Sequence, residues 1–75
     1  MFYQVVEEKC EQGIKPRYSK NEKIDNNELL FLMNDFKEHK YEIRDELKKK
    51  YYEFYDYDLF GRKIKLYSLN LIKIK

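Results

Sequence analysis

The sequence has few of the residues that build covalent, metal or phosphate sites. Its single cysteine, Cys10, excludes an internal disulfide and cannot by itself form a cysteine-rich zinc site. The two glycines, Gly13 and Gly61, begin neither a phosphate-binding loop nor a dinucleotide fingerprint. Apolar runs reach only four or five residues, so we expect no transmembrane helix and no secretory signal. We therefore expect a cytoplasmic protein that binds no cofactor and has no membrane partner.

Alanine, threonine and tryptophan are absent from the 75 residues, whereas lysine, isoleucine, asparagine, tyrosine and phenylalanine supply 37 of them. These five types have AT-rich codons, which indicates the genome of a low-GC bacterium, a phage or another mobile element. Codon bias also accounts for part of the tyrosine content without any binding role. A chain of this length forms one small domain, residues 1–75, with a thin core.

The net charge of +2 is unevenly distributed along the chain. Residues 1–12 carry −2, residues 13–24 carry +3, residues 25–60 carry −4 and residues 61–75 carry +5. An acidic middle is therefore flanked by two basic segments.

Both ends of the chain have strand-like patterns. Phe2 to Glu11 is rich in β-branched and aromatic residues, with Tyr3, Val5 and Glu7 on one side. Gln12-Gly13 indicates a turn, and the basic stretch from Ile14 to Ile24 is a hairpin partner or an irregular loop. After a stop at Gly61, residues 63–75 alternate again, but their apolar side changes near Ser68 to Asn70. This last segment is therefore one bulged strand or two short strands.

The segment from Asp25 carries the start signals of a helix. Asp25 can cap it, and Glu28 three residues later completes a capping box. Ile24 and Leu29 occupy the two positions of a hydrophobic staple. The apolar residues that follow recur at intervals of three, four and seven, as in an amphipathic helix, and are Leu29, Met33, Phe36, Ile43, Leu47, Tyr51 and Phe54.

The length of this pattern predicts one long or broken helix. Thirty uninterrupted residues would span roughly 45 Å, more than a small sheet covers, so we expect a bend or break around Glu38 to Tyr41. Residues 51–60 fit either the last helical turns or a strand, and we favour helix to about Tyr55. The predicted fold is α+β, a small single-layer antiparallel sheet packed on this helix in the order β-(β)-α-β.

Groups for catalysis are scarce. The candidate nucleophiles Cys10, Ser19 and Ser68 have no motif around them, and Cys10 is expected to be a half-buried strand residue. His39 follows Asp35 by four residues, but one Asp–His pair lacks the further ligands of a zinc site. Paired carboxylates are too common in this sequence to be specific. We therefore predict no enzyme activity, no catalytic residues and no metal site.

Protein binding is the function with the broadest support. Tyrosine offers a large amphipathic contact area, and the run of tyrosines here exceeds what one helix face can bury. The predicted partner-binding patch combines aromatic and acidic side chains suited to a basic groove, and consists of Tyr51, Tyr52, Glu53, Tyr55, Asp56, Tyr57 and Asp58. One form of this function is a phage or mobile-element inhibitor that blocks a host protein such as a nuclease. The alternative reading is that half of these tyrosines complete the core.

Two further modes of binding stay open. A sequence-tolerant nucleic-acid binder would use basic and aromatic residues of the two basic segments, namely Lys15, Arg17, Tyr18, Lys20, Lys23, Arg62, Lys63, Lys65, Tyr67, Lys73 and Lys75. These residues form one positive face if the two segments are neighbours in the sheet. Self-association would use the apolar side of the last strand, at Tyr67, Leu69 and Leu71.

Overall fold

The computed structural model describes residues 1–11 and 13–74, which form one antiparallel sheet and one short helix. The elements are β1 (Phe2–Cys10), β2 (Lys23–Asp25), α1 (Asn26–Asp35), β3 (Lys40–Asp45), β4 (Lys49–Tyr57) and β5 (Lys63–Ile74). The sheet has five strands in the order β2-β1-β5-β4-β3. The predicted α+β class is confirmed, and the predicted residues Gln12 and Lys75 lie outside the described ranges. No helix within those ranges is long and apolar enough to cross a membrane.

The Asp25 cap and the hydrophobic staple at the start of α1 are as predicted, whereas the Glu28 side chain bonds Tyr18 and does not complete the capping box. The Asp25 carboxylate accepts a hydrogen bond from the Glu28 backbone N–H at 3.1 Å, which satisfies one of the unpaired donors of the first turn. Ile24 and Leu29, the staple residues, are each 3% exposed and belong to the core. The Glu28 carboxylate accepts from the Tyr18 hydroxyl at 3.3 Å, so the same turn also holds the loop that precedes β2.

The prediction of a long helix is wrong. Helix α1 ends at Asp35, and the region in which we predicted helix to Tyr55 forms the hairpin of β3 and β4. Two of the seven stripe positions, Ile43 and Phe54, fit a period of two equally well in separate strands, whereas Tyr51 lies on the opposite face of β4 from Phe54. Leu47 is 89% exposed beside the tip of the hairpin, where a helix would have buried it. The predicted order β-(β)-α-β therefore becomes β-β-α-β-β-β.

The sheet has a covered face and an uncovered one. We call the side on which α1 packs the helix face, and the opposite side the open face. Phe36, at the end of α1, stacks on Phe54 with ring centroids 4.5 Å apart and on Tyr67 at 5.3 Å. The buried residues of the sheet lie on the helix face or at bulges, with one exception, Glu53. The core consists of Tyr3, Val5, Ile24, Leu29, Leu32, Phe36, Tyr52, Phe54, Leu66, Tyr67, Leu69 and Leu71.

Two β-bulges set which side chains face the helix. In β5, Phe54 pairs with Tyr67 and Tyr55 with Lys65, so Leu66 is an extra residue and both Leu66 and Tyr67 are buried. Residues 63–74 are thus one bulged strand, although the bulge precedes the predicted position at Ser68 to Asn70.

The second bulge lies at Val6 in β1. Val5 pairs with Leu71 and Glu7 with Asn70, which leaves Val6 unpaired. Glu7 consequently lies on the open face and not, as predicted, beside Val5 on the other side.

The residues predicted to mediate self-association are buried in the core. Tyr67, Leu69 and Leu71 are 1%, 0% and 2% exposed, because they lie on the helix face of the central strand. They form the middle of the core.

Candidate functional site

The residues of the predicted partner-binding patch are divided between the two faces of the sheet. Their strand, β4, alternates its side chains, so a run of consecutive residues cannot form one surface. Tyr51, Glu53, Tyr55 and Tyr57 lie on the open face. Tyr52 and Asp56 lie on the helix face, and Asp58 lies in the turn after β4. The structure therefore assembles three tyrosines and one carboxylate.

Glu53 is the centre of this group. It is only 4% exposed, although it lies on the open face, because neighbouring long side chains cover it. Its Oε2 is 3.0 Å from the Lys63 ammonium, its Oε1 is 3.9 Å from that of Lys65, and the Tyr51 hydroxyl donates to Oε1 at 3.3 Å. Burial acts to raise the pKa of Glu53, but the contacts with Lys63, Lys65 and Tyr51 outweigh it and lower the pKa. The carboxylate is thus ionised and neutralised within the molecule.

Cations lie over two of the three tyrosine rings on the open face. The Lys63 Nζ lies 4.4 Å from the centroid of the Tyr55 ring, and the Arg44 guanidinium carbon lies 4.6 Å from that of Tyr51. Tyr55 and Tyr57 meet edge to face, with centroids 5.7 Å apart and an interplanar angle of 85°. The surface therefore presents ring edges, hydroxyl groups and positive charge.

The rest of the open face adds cations and an apolar end. Cations outnumber carboxylates there, with Lys9, Lys23, Lys40, Arg44, Lys49, Lys63 and Lys65 against Glu7, Asp25, Glu42 and Glu53. Phe2, which is 49% exposed, and the half-buried Ile72 and Ile74 lie at the end of the sheet distant from Tyr57. The face is net positive at neutral pH, unlike the acidic patch expected from the sequence.

The two remaining carboxylates of the predicted patch have structural partners. Asp56 lies 2.8 Å from the Nδ1 atom of His39, which follows α1 and does not lie on a helix with Asp35 as predicted. Asp58 accepts from the backbone N–H groups of Phe60 at 2.8 Å and Arg62 at 2.9 Å, and its other oxygen contacts the Arg62 guanidinium. The backbone bond from Arg62 is the main cause of the lowered pKa of Asp58. Asp58 therefore closes the turn between β4 and β5.

The predicted nucleic-acid-binding residues do not form one face. The first basic segment is a loop followed by β2, and β2 pairs with β1, not with β5. Arg17 forms an ion pair with Asp35 beside the helix. Lys15 and Lys20 are exposed in the loop, and Lys23 lies at the edge of the open face.

The other predicted nucleic-acid residues are also dispersed. Tyr18 is half-buried in the loop, Tyr67 is in the core, and Arg62 is held by Asp58. Lys73 lies on the helix face, where its ammonium contacts the Asp45 carboxylate. Of the second basic segment, the open face presents Lys63 and Lys65, both beside Glu53.

The structure also locates Cys10, one of the candidate nucleophiles, and bears on the metal-site prediction. Cys10 is half-buried in β1 as expected, and burial, with a smaller effect of the Glu8 charge, raises the pKa of its thiol. Within residues 1–11 and 13–74, no three His, Cys, Asp or Glu side chains form a group that would hold a metal ion.

The sequence reasoning missed several residues of the open face, among them Arg44, Phe2, Ile72 and Ile74. The signal for Arg44 was the strict alternation in KYEIRD, residues 40–45, which predicts a strand when it is not read as part of a longer helical pattern. The face on which Ile72 and Ile74 lie depends on the bulge at Leu66, which changes the parity of the residues that follow it.

Comparison of the chain with protein-family models, with curated proteins and with solved structures found no match. The function is therefore inferred from the residues and geometry of the open face.

Proposed function

We propose that the protein is a non-enzymatic interaction module that binds a partner protein through the open face of its sheet. The observation that carries this proposal is the row of Tyr51, Tyr55 and Tyr57 along β4, set among Arg44 and Lys63. Tyrosine and arginine are the side chains enriched at the centres of protein interfaces. The row is held on a paired inner strand, so its contact surface is ordered before binding.

The charge of the open face defines the chemistry of the partner. Because Glu53 is neutralised by its own lysines, the face offers cations and hydroxyl groups, which complement an acidic surface with apolar patches. The specific form proposed from the sequence is an inhibitor of a host nucleic-acid-processing protein. A nuclease target fits this charge, since nuclease sites use carboxylates to hold metal ions.

The proposal is tested with two variants on opposite faces of the molecule. Tyr55→Thr/Tyr57→Thr removes two rings from the open face while keeping residues that favour strands. Phe31→Ala is the matched control, because Phe31 is 61% exposed on α1 and Tyr57 is 51% exposed. Circular dichroism checks that both variants fold.

Each tagged chain is used to capture partners from a low-GC bacterial lysate, with and without nuclease treatment. We expect one stoichiometric protein, resistant to nuclease, that binds the wild type and the Phe31→Ala chain. The tyrosine double variant should bind it about tenfold or more weakly, since interface tyrosines often contribute more than 1 kcal/mol each. Undiminished binding by the double variant would exclude the open face as the site.

Nucleic-acid binding is the second candidate, because the same face carries an excess of lysine among its tyrosines. It is less favoured, since cations already cover the rings of Tyr51 and Tyr55 and hinder base stacking. Titration with a single-stranded oligonucleotide decides the question. This candidate requires an affinity that decreases steeply with salt, because each phosphate contact releases counterions, and an affinity independent of salt would reject it.

A further inference from the structure

The last strand of the sheet on one side, β3, has an unpaired edge. All six of its residues are exposed, including Tyr41 at 54% and Ile43 at 38%, which lie on the helix face beyond the reach of α1. At the opposite edge, β2 has three residues, and Asn21 and Glu22 exchange backbone hydrogen bonds with Val5 just beyond it. Edge β3 is therefore the longer template for another strand.

The hairpin geometry determines which backbone groups of β3 point away from the sheet. The Glu46 N–H donates to the Lys49 carbonyl at 2.9 Å, so the pair of Glu46 and Lys49 is hydrogen-bonded. Hydrogen-bonding direction alternates along an antiparallel strand, which directs the backbone groups of even-numbered residues of β3 toward β4. The N–H and C=O groups of Tyr41, Ile43 and Asp45 consequently point outward.

The side chains of β3 are self-complementary in one antiparallel register. If Ile43 lies opposite Ile43 of a second copy, Glu42 lies opposite Arg44 and Lys40 lies opposite Glu46, twice each by symmetry. In this register Ile43 lies opposite Ile43, and Tyr41 lies opposite Asp45 of the other copy. The outward backbone N–H and C=O groups of the two strands therefore face each other and can form hydrogen bonds.

The neighbouring registers are repulsive. Centring the pair on Glu42 places Glu42 opposite itself and Lys40 opposite Arg44. Centring it on Arg44 places Arg44 opposite itself and Glu42 opposite Glu46. The charges of β3 therefore favour the register centred on Ile43 over both of these neighbouring registers.

We infer that β3 is a homodimerisation edge, at which two copies pair antiparallel about Ile43 into one continuous sheet. The arrangement covers Ile43 with its own copy and places both helices on the same side. Its Glu42 and Arg44 side chains lie on the open face beside the tyrosine row, with Arg44 over the Tyr51 ring. The inference does not depend on the proposed function, because it is measured on the purified chain without a partner. Because one strand pair is smaller than a standard interface, we expect a Kd of roughly 10 µM to 1 mM.

Reversal of single charges tests the register. Glu42→Arg and Arg44→Glu each turn both symmetric charge pairs from attraction to repulsion, so each should weaken the dimer about tenfold or more. Sedimentation velocity over a range of concentrations measures this. The double variant Glu42→Arg/Arg44→Glu restores every pair and should dimerise like the wild type, which a misfolded chain would not do.

A mixture of the Glu42→Arg and Arg44→Glu variants gives the most specific test of the charge pairing. One chain then contributes two arginines and the other two glutamates, so they should form a heterodimer although each alone is mostly monomeric. A wild-type chain that stays monomeric to about 1 mM would overturn the inference and leave the edge for a strand of another protein. A dimer unaffected by the single charge reversals would also overturn it.

Discussion

At the scale of single residues, Glu8 connects the first basic segment to the sheet. One of its carboxylate oxygens accepts hydrogen bonds from the backbone N–H of Arg17 at 2.9 Å and from the Tyr67 hydroxyl. The other oxygen accepts from the backbone N–H of Tyr18 at 3.4 Å. Burial, followed by the bond to Glu8, raises the pKa of Tyr67, so this hydroxyl stays protonated and donates.

Glu8→Ala should therefore destabilise the fold by about 2 kcal/mol, because it leaves the buried Tyr67 hydroxyl and two loop N–H groups without their acceptor. Urea denaturation followed by circular dichroism measures the loss. Glu7→Ala, one residue away on the open face, is the control and should change stability by less than about 0.5 kcal/mol. Equal effects of the two substitutions would show that the Glu8 hydrogen bonds contribute little.

Glu53 makes stability depend on pH at acidic values. Its folded-state pKa is below the ordinary value of 4.5, so its contribution is present above that value and is lost as pH falls through the folded pKa. Stability of the wild type should decrease on acidification below about pH 5. Denaturation at several pH values should give a shallower decrease for Glu53→Gln.

The exposed cross-strand neighbour of Glu53 gives the control for this pH series. Glu42→Gln should follow the wild type closely, because Glu42 is exposed and a surface ion pair such as its 3.5 Å contact with Arg44 contributes little to stability. In both variants the free energy of unfolding should still decrease as the pH falls, because other carboxylates contribute. Asp45, bonded to Lys73, and Asp58, bonded to the Arg62 backbone, also have lowered pKa values. An unchanged slope in Glu53→Gln would contradict the role given to the Lys63 and Lys65 contacts.

At the scale of elements, the cap of α1 contributes measurably to stability because the helix has only ten residues. A helix of this length is marginal by itself, so it depends on its cap and on burial of Leu29, Leu32 and Phe36. Asp25→Ala should cost about 1 kcal/mol in unfolding free energy. Asn27→Ala, in the exposed first turn, should cost nothing measurable in the same urea titration. A similar loss in both variants would assign the effect to the altered surface and not to the cap.

The elements also show how far the sequence predicts the fold. Local signals succeeded at β1, at the Asp25 cap and in the bulged last strand, because each depends on residues a few positions apart. The prediction of the helix end failed, since Ile43 and Phe54 fit both periods and the alternation in residues 40–45 was read as part of the longer helical pattern. Of the candidate site, the tyrosines of β4 were identified, but their division between two faces follows from the strand assignment.

At the scale of the whole molecule, β5 joins the two halves of the sheet. It pairs with β1 on one side and with β4 on the other, and these pairings contribute most of the long-range structure. If residues 1–75 form a single domain, the amides of β1, β4 and β5 should exchange with solvent hydrogen only through one global unfolding step. The outward amides of Tyr41 and Ile43 should exchange much faster in the monomer.

Leu69→Ala tests this cooperativity, because Leu69 is fully buried at the middle of β5. The cavity should cost about 3 kcal/mol and lower the protection of β1, β4 and β5 by the same free energy in native-state hydrogen exchange. Ile72→Ala, on the open face of the same strand, should have a smaller effect because Ile72 is half-buried. Loss of protection confined to β5 and one neighbour would mean that the two halves of the sheet unfold separately, and the single-domain prediction would be wrong.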